Sequence, residues 1–157
     1  MKSKFTLSLI FLCLLVVKSY GQDKVFNEKD AQKHGNSYQR LDGLYISALH
    51  TNPILAAFKT PEEQENFQKA YLKFMQDLSA FLKANNFNWD KQTTCQNRIY
   101  FSTNGAIDYF LYDFPSGQIT PEKEKEFDRL LKLFVQSHKI SITAKDKFSQ
   151  CSPFKYR

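Results

Sequence analysis

The stretch NRIYFSTNGAIDYFLYDF, residues 97 to 114, places the carboxylate of Asp108 among aromatic residues. Asp108 could act there as a general acid or base, the role of an isolated carboxyl group in an enzyme cleft. Such catalysis normally needs a partner, and the nearest acid in the sequence is Asp113. The structural alternative places Asp108 at a sheet surface, hydrogen-bonded to a tyrosine or arginine or paired with a lysine. We adopt the structural interpretation and keep Asp108 as a binding candidate only.

Other reactive residue types show no catalytic spacing. His34, His50 and His138 form no metal-ligand pattern, and His138 falls at the end of a predicted helix, where the helix dipole favours a capping role. The sequence contains no Gly-rich phosphate loop, no HExxH and no CxxC. We therefore assign no catalytic residue, no metal and no cofactor. An enzyme with scattered site residues stays as an alternative.

The aromatic residues comprise 15 Phe, 8 Tyr and one Trp. Most are expected in a hydrophobic core, but aromatic residues on both faces of a small sheet are also suited to an apolar-ligand pocket or an interface. The candidates for binding are Tyr100, Tyr109 and Tyr112, because tyrosine is favoured at surfaces that are partly exposed to solvent.

Residues 1–21 have the layout of a secretory signal peptide. Lys2 and Lys4 precede an apolar run over residues 5–17, and small residues precede a cleavage position at Gln22. The run is shorter than the roughly 20 residues that span a bilayer. The prediction is an exported chain, periplasmic or secreted, with no integral membrane anchor after cleavage; an uncleaved anchor is the alternative.

Removing this leader changes the charge and the cysteine content. The leader holds three lysines and no acid, so the net charge falls from +6 to +3. The remaining charges form no basic cluster, which argues against nucleic-acid binding. Cys95 and Cys151 remain, and two cysteines in an exported chain predict a disulfide. The alternatives are a thiol nucleophile or a metal site shared with His138, but no motif spacing in the sequence supports either.

The mature chain is expected to form one α+β domain over residues 37–157, preceded by a flexible polar arm at 22–36. Its helical part, residues 37–90, contains a helix over Leu41–Leu49, a short helix at 52–58 and a helix over 61–84. The last of these begins with the capping box Thr60-x-x-Glu63. The same Thr-Pro-Glu signal at 120–122 predicts a second amphipathic helix over 121–138.

Between these helices, Asn104-Gly105 predicts a two-residue hairpin turn with positive φ at both positions. Ile99 then pairs with Phe110, Tyr100 with Tyr109, and Phe101 with Asp108. Both faces of this hairpin are apolar, so both must be covered. We expect the helix over 121–138 on one face, and the helix over 61–84 or a partner molecule on the other.

The tail at 147–156 is expected to form a third strand, which Pro153 directs to an edge position. Reached through the second helix, it runs antiparallel to the first strand and brings Cys151 near Cys95. Residues 95–157 are thus a β-β-α-β part arranged as a two-layer sandwich after the N-terminal helices.

This layout resembles the C-terminal domain of TonB-like energy transducers. The resemblance rests on RIYFSTNGAIDYFLYDF as the hairpin, LLKLFVQSHK as the helix and KFSQCSPFKY as the final strand. It implies capture of a protein or peptide segment by β-augmentation on the final strand, with Phe148, Gln150 and Ser152 as binding candidates. The chain lacks the family's Pro-rich linker and the Tyr-Pro element before its helix, which implies a reused module. The mature chain is also similar to small exported proteins of Bacteroidota.

The predicted function is therefore an exported, non-enzymatic module that binds a protein or peptide, with β-augmentation at the C-terminal strand as its mode. The alternative is a carrier of a small apolar ligand held between helix and sheet beside Tyr109 and Leu111.

Overall fold

The computed structural model describes residues 23–157, so the predicted leader and its cleavage position lie outside the described residues. Five strands form one mixed sheet in the order β1-β4-β3-β5-β2, and the fold class is α+β, as predicted. No helix among residues 23–157 has the length and apolar character needed to cross a bilayer. The elements in chain order are β1 Val25–Asn27, α1 Glu28–Lys33, α2 Tyr38–Asp42, β2 Ile46–Ser47, a 3-10 turn Pro53–Leu55, α3 Pro61–Ala84, β3 Thr93–Phe101, β4 Ile107–Asp113, α4 Pro121–Ser137 and β5 Phe148–Tyr156.

The two long helices begin where their capping residues predict. The Thr60 hydroxyl accepts from the Glu63 N–H at 3.2 Å, and the Glu63 carboxylate accepts from the Thr60 N–H at 2.9 Å. Thr120 caps α4 by accepting from the Lys123 N–H at 3.3 Å. Such caps satisfy N–H groups that have no partner within the helix, which fixes where each helix starts.

The N-terminal region differs from the prediction. The polar stretch expected as a flexible arm forms β1 and α1, and β1 pairs in parallel with β4, with Val25 opposite Phe110. The helix expected over Leu41–Leu49 ends at Asp42, and the chain then enters β2. Only two apolar side chains hold β1: Val25 and Phe26 point to opposite faces of the sheet, and both are buried. The predicted arm and the helical part thus supply one strand each, β1 and β2, to the common sheet.

Both faces of the sheet are covered by the chain itself. Helices α3 and α4 pack together on one face, where they bury Phe101, Phe110 and Phe148 in the larger core. The opposite face is covered by residues 25–45, which form a smaller core around Tyr100 and Leu111. The expectation that α3 or a partner covers this second face is wrong, because α3 and α4 share the first.

The hairpin turn is longer by one residue than predicted. The Gly105 N–H donates to the Ser102 carbonyl at 3.0 Å and the Ser102 N–H to the Ala106 carbonyl at 2.9 Å. Within this turn, Gly105 has a positive φ of 81° and Asn104 does not have a positive φ. A three-residue loop with glycine in the left-handed region is the next most common hairpin connection.

This turn shifts the register beside it. The predicted pairs Ile99–Phe110 and Tyr100–Tyr109 are confirmed, but Phe101 lies opposite Ile107 instead of Asp108. Asp108 is therefore the extra residue of a β-bulge. The bulge reverses the predicted facing of both residues: Ile107 enters the larger core, and Asp108 turns to the face of the smaller core.

Candidate peptide-binding edge

Strand β5 has one side that is paired along its whole length and one that is paired only at its start. Its nine residues all pair with β3, from Phe148 opposite Phe101 to Tyr156 opposite Thr93. On the other side, β2 pairs only with Phe148 and Ser149. Beyond Ser149, no strand within residues 23–157 covers this side, which we call the open edge. The predicted edge position is thus wrong for the start of β5 and correct for the remainder.

The open edge presents backbone groups at every second residue. The Ala48 N–H donates to the Ser149 carbonyl at 2.7 Å, so the backbone of Ser149 faces outward. Because these groups alternate along a strand, the backbones of Cys151, Pro153 and Lys155 also face outward. Pro153 has no N–H to offer, and at an outward position its ring leaves the β3–β5 ladder complete. An added strand would find two N–H donors and three carbonyls, one of which already accepts from the Gln150 amide at 3.0 Å.

The predicted binding side chains of β5 lie on the face covered by α3. Phe148 is fully buried and packs against Phe58 and Phe101. The Ser152 hydroxyl lies 2.7 Å from the Tyr71 hydroxyl of α3, and Gln150 is half-buried. Since Phe148 and Ser152 are engaged within the fold, the edge offers mainly its backbone.

Beside the open edge, the sequence prediction missed an exposed apolar loop, defined here as residues 44–57. Its ends are held together by the Ala57 N–H, which donates to the Ser47 carbonyl at 2.9 Å. Ile54 is 76% exposed and Leu55 56%. Of the six large apolar side chains exposed in residues 23–157, four belong to this loop: Leu44, Ile46, Ile54 and Leu55. The sequence signal for this exposed loop is the adjacent apolar pair Ile54 and Leu55 after Asn52-Pro53. The same pair is equally consistent with the buried side of a short helix.

Asp108 is held by two neighbours. The Tyr45 hydroxyl donates to its carboxylate at 3.0 Å, and the Lys147 ammonium lies 3.4 Å away. Burial, followed by the bond to Asp108, raises the pKa of Tyr45, so this phenol stays protonated as a donor. These are the partners that the structural interpretation of Asp108 requires.

The cleft beside Asp108 has a volume of about 210 Å³ and is polar. Charged residues supply most of its lining, and Leu111 lies buried in the smaller core. The carrier alternative requires an apolar cavity beside Tyr109 and Leu111, whereas the cleft that Tyr109 lines is polar. The lining residues are Asp23, Lys24, Tyr45, Asp108, Tyr109 and Lys147.

The three predicted tyrosines are not brought together into one surface. Tyr100 is fully buried in the smaller core and donates to the Asp42 carboxylate at 2.8 Å. Tyr112 lies in the larger core and donates to Asp128 at 3.1 Å. Tyr109 is half-buried at the mouth of the Asp108 cleft. Of the three, only Tyr109 offers a partly accessible ring.

The predicted disulfide is wrong. Cys95 lies opposite Phe154, whereas Cys151 lies opposite Arg98. Residues directly opposite each other share a face, and successive residues alternate between faces, so the two thiols project from opposite sides of the sheet. Both cysteines are free, Cys95 buried and Cys151 exposed. Burial raises the pKa of the Cys95 thiol, which makes it a poor nucleophile.

His138 occupies the C-terminal cap of α4, where its ring Nδ1 lies 3.1 Å from the Phe134 carbonyl. This is the capping position that the sequence predicts. Within residues 23–157, no group of three or more His, Cys, Asp or Glu side chains is arranged to hold a metal ion.

Comparison with protein-family models, with curated proteins and with solved structures finds no match for this chain. Its function is therefore inferred from its own sequence and structure.

Proposed function

We propose that the chain is an exported interaction module that accepts an extended protein or peptide segment as an additional strand on the open edge of β5. The observation that carries this proposal is the outward-facing backbone of Cys151, Pro153 and Lys155, next to a two-residue β2 that leaves it unpaired within residues 23–157. Proteins that bind by β-augmentation use such an edge for affinity and nearby side-chain contacts for specificity.

The open edge sets the chemistry of the partner. The backbone alone offers few hydrogen bonds, each contributing about 0.5–1.5 kcal/mol net, and the missing donor at Pro153 lowers that number. Further affinity has to come from apolar contact, which Ile54 and Leu55 of the apolar loop can supply. We therefore expect an extended segment that carries apolar side chains at its end nearest β2.

Two sequence features support the proposal. The leader pattern at residues 1–21 supports export, and the resemblance to TonB-like C-terminal domains implies segment capture on the same final strand. Neither depends on the geometry of the open edge, so they support it independently.

Proline substitution at an outward position tests the edge directly. Cys151→Pro and Lys155→Pro each delete one outward N–H and leave the inward ladder to β3 intact. Cys151→Ser and Lys155→Ala are the matched controls, because they change the side chain and keep the N–H. Heptapeptides selected by display on the wild-type protein should bind both controls and lose at least tenfold in affinity on the double proline variant.

A stable double proline variant that still binds the selected peptides with unchanged affinity would overturn the proposal. Thermal unfolding of each variant confirms that the fold is retained. Charged substitution at Ser152 is a weaker test, because its hydroxyl pairs with Tyr71 and the change would disturb the packing of α3.

A further inference from the structure

The central strand places an amide in the middle of the larger core. Asn97 is fully buried, and neither its Nδ2 nor its Oδ1 has a hydrogen-bond partner within residues 23–157. Tyr156 is 1% exposed, and its hydroxyl also lacks a partner there. Buried side-chain polar atoms in native proteins nearly always have a partner, either a protein group or an ordered water. Three such atoms in one core therefore call for a physical explanation.

The two groups project from the same face of the sheet, the one that α3 and α4 cover. Asn97 lies opposite Ser152 of β5, and the Ser152 hydroxyl is bonded to Tyr71 of α3. Burial raises the pKa of the Tyr156 hydroxyl, and the nearby Asn97 amide opposes part of that rise, yet the two make no hydrogen bond of ordinary geometry. They are thus close neighbours that are not joined directly.

We propose that Asn97 and Tyr156 form an internal hydration site between β3, β5 and α3, which holds one or two long-lived water molecules. The chemistry of the groups selects this ligand. The amide offers a donor and an acceptor, and the phenol offers both, so water can donate to Asn97 Oδ1 and accept from Tyr156 or from Asn97 Nδ2. All of these groups are neutral, which suits a small neutral ligand.

Internal water in the wild-type protein is tested by water-to-protein cross-relaxation in NMR. A long-lived water should give cross-peaks to the Asn97 amide protons and to ring protons of Tyr156. The Tyr156→Phe variant should lose these cross-peaks and raise the unfolding equilibrium constant about fivefold to tenfold, the scale of one lost hydrogen bond. Tyr71→Phe is the matched control, because it also removes a buried phenol hydroxyl but should retain the cross-peaks from Asn97.

Two results would overturn the site. If Tyr156→Phe or Asn97→Leu stabilises the protein, the polar atoms have no partner at all. If both variants destabilise it and the wild type shows no internal water, the Asn97 amide and the Tyr156 hydroxyl bond each other directly. Peptide binding on the open edge is not involved in either result, so the outcome is separate from the proposed function.

Discussion

Among the glycines of residues 23–157, Gly105 is the one where an added methyl group should destabilise the protein most. Its φ of 81° lies in the left-handed region, which costs an L-residue about 1–2 kcal/mol. A Cβ built on it would also clash with the Ile140 carbonyl oxygen and lie 2.7 Å from that of Ile142. Both obstacles are backbone atoms, so a side-chain rotation cannot relieve them. The Ile140 N–H also donates to the Gly105 carbonyl at 3.0 Å, and any shift would strain that bond.

A substitution at Gly117 measures the conformational penalty of a positive φ without the steric clash. Its φ is 74°, close to that of Gly105, but a Cβ there would meet nothing within 4 Å. Gly117→Ala should therefore cost only the conformational penalty of about 1–2 kcal/mol. Gly105→Ala should cost about 4 kcal/mol or more, since displaced backbone is added to the same penalty. That is a large part of the 5–15 kcal/mol by which typical domains are stable.

Urea denaturation of both variants and the wild type, followed by circular dichroism, measures the difference. The result is interpretable where the three proteins share one m-value. If Gly105→Ala and Gly117→Ala agree within about 0.5 kcal/mol, the close approach of residues 140–142 to the hairpin turn is refuted.

Three further predictions concern single side chains. In a chain that begins at Gln22, a thiol reagent should modify Cys151 within minutes under native conditions and Cys95 only after unfolding; equal rates, or no thiols after denaturation without reductant, would contradict the free cysteines. Burial raises the pKa of Tyr71 to about 12 from an unfolded value of 10.0, so its contribution to stability is complete below pH 10 and is lost as the pH rises towards 12. Unfolding free energies measured from pH 8 to 12 should thus fall less steeply for Tyr71→Phe than for the wild type, and parallel curves would refute this. Tyr100→Phe removes the 2.8 Å bond to Asp42 and should cost about 1–2 kcal/mol in urea denaturation, whereas an unchanged midpoint would show that water replaces the bond.

The sequence predicts best those elements whose ends are set by local chemistry. Thr60-Pro61 and Thr120-Pro121 define the starts of α3 and α4, because the capping groups lie within three residues of each other. The predicted pairing of Ile99 with Phe110 is correct, but only because the bulge at Asp108 offsets the extra residue of the turn. The turn and the bulge do not follow from local sequence, because residues 139–144 pack against the turn and lie far from it in the chain.

The N-terminal strands are not predicted from the sequence, for a similar reason. β1 contains three residues and β2 two, too few for a visible alternation, and each exists because a strand about 85 to 100 residues further along offers a place to pair. Whether two cysteines meet depends on which face each one occupies, so their count alone predicts a disulfide that the sheet geometry prevents. For the open edge, the sequence predicts the strand and its Pro153, but not that β2 covers only the first two residues.

The order β1-β4-β3-β5-β2 also has a consequence for how the chain folds. The central strand pairs on one side with the strand that follows it and on the other with the last strand of the chain, and the outer strands come from the N-terminal region. β2 can pair only after β5 is in place, because Ile46 pairs with Phe148, about 100 residues later in the chain. Such long-range pairings make loop closure the slow event in folding. We therefore expect folding on a timescale of roughly milliseconds to seconds, with β2 unpaired until β5 has docked.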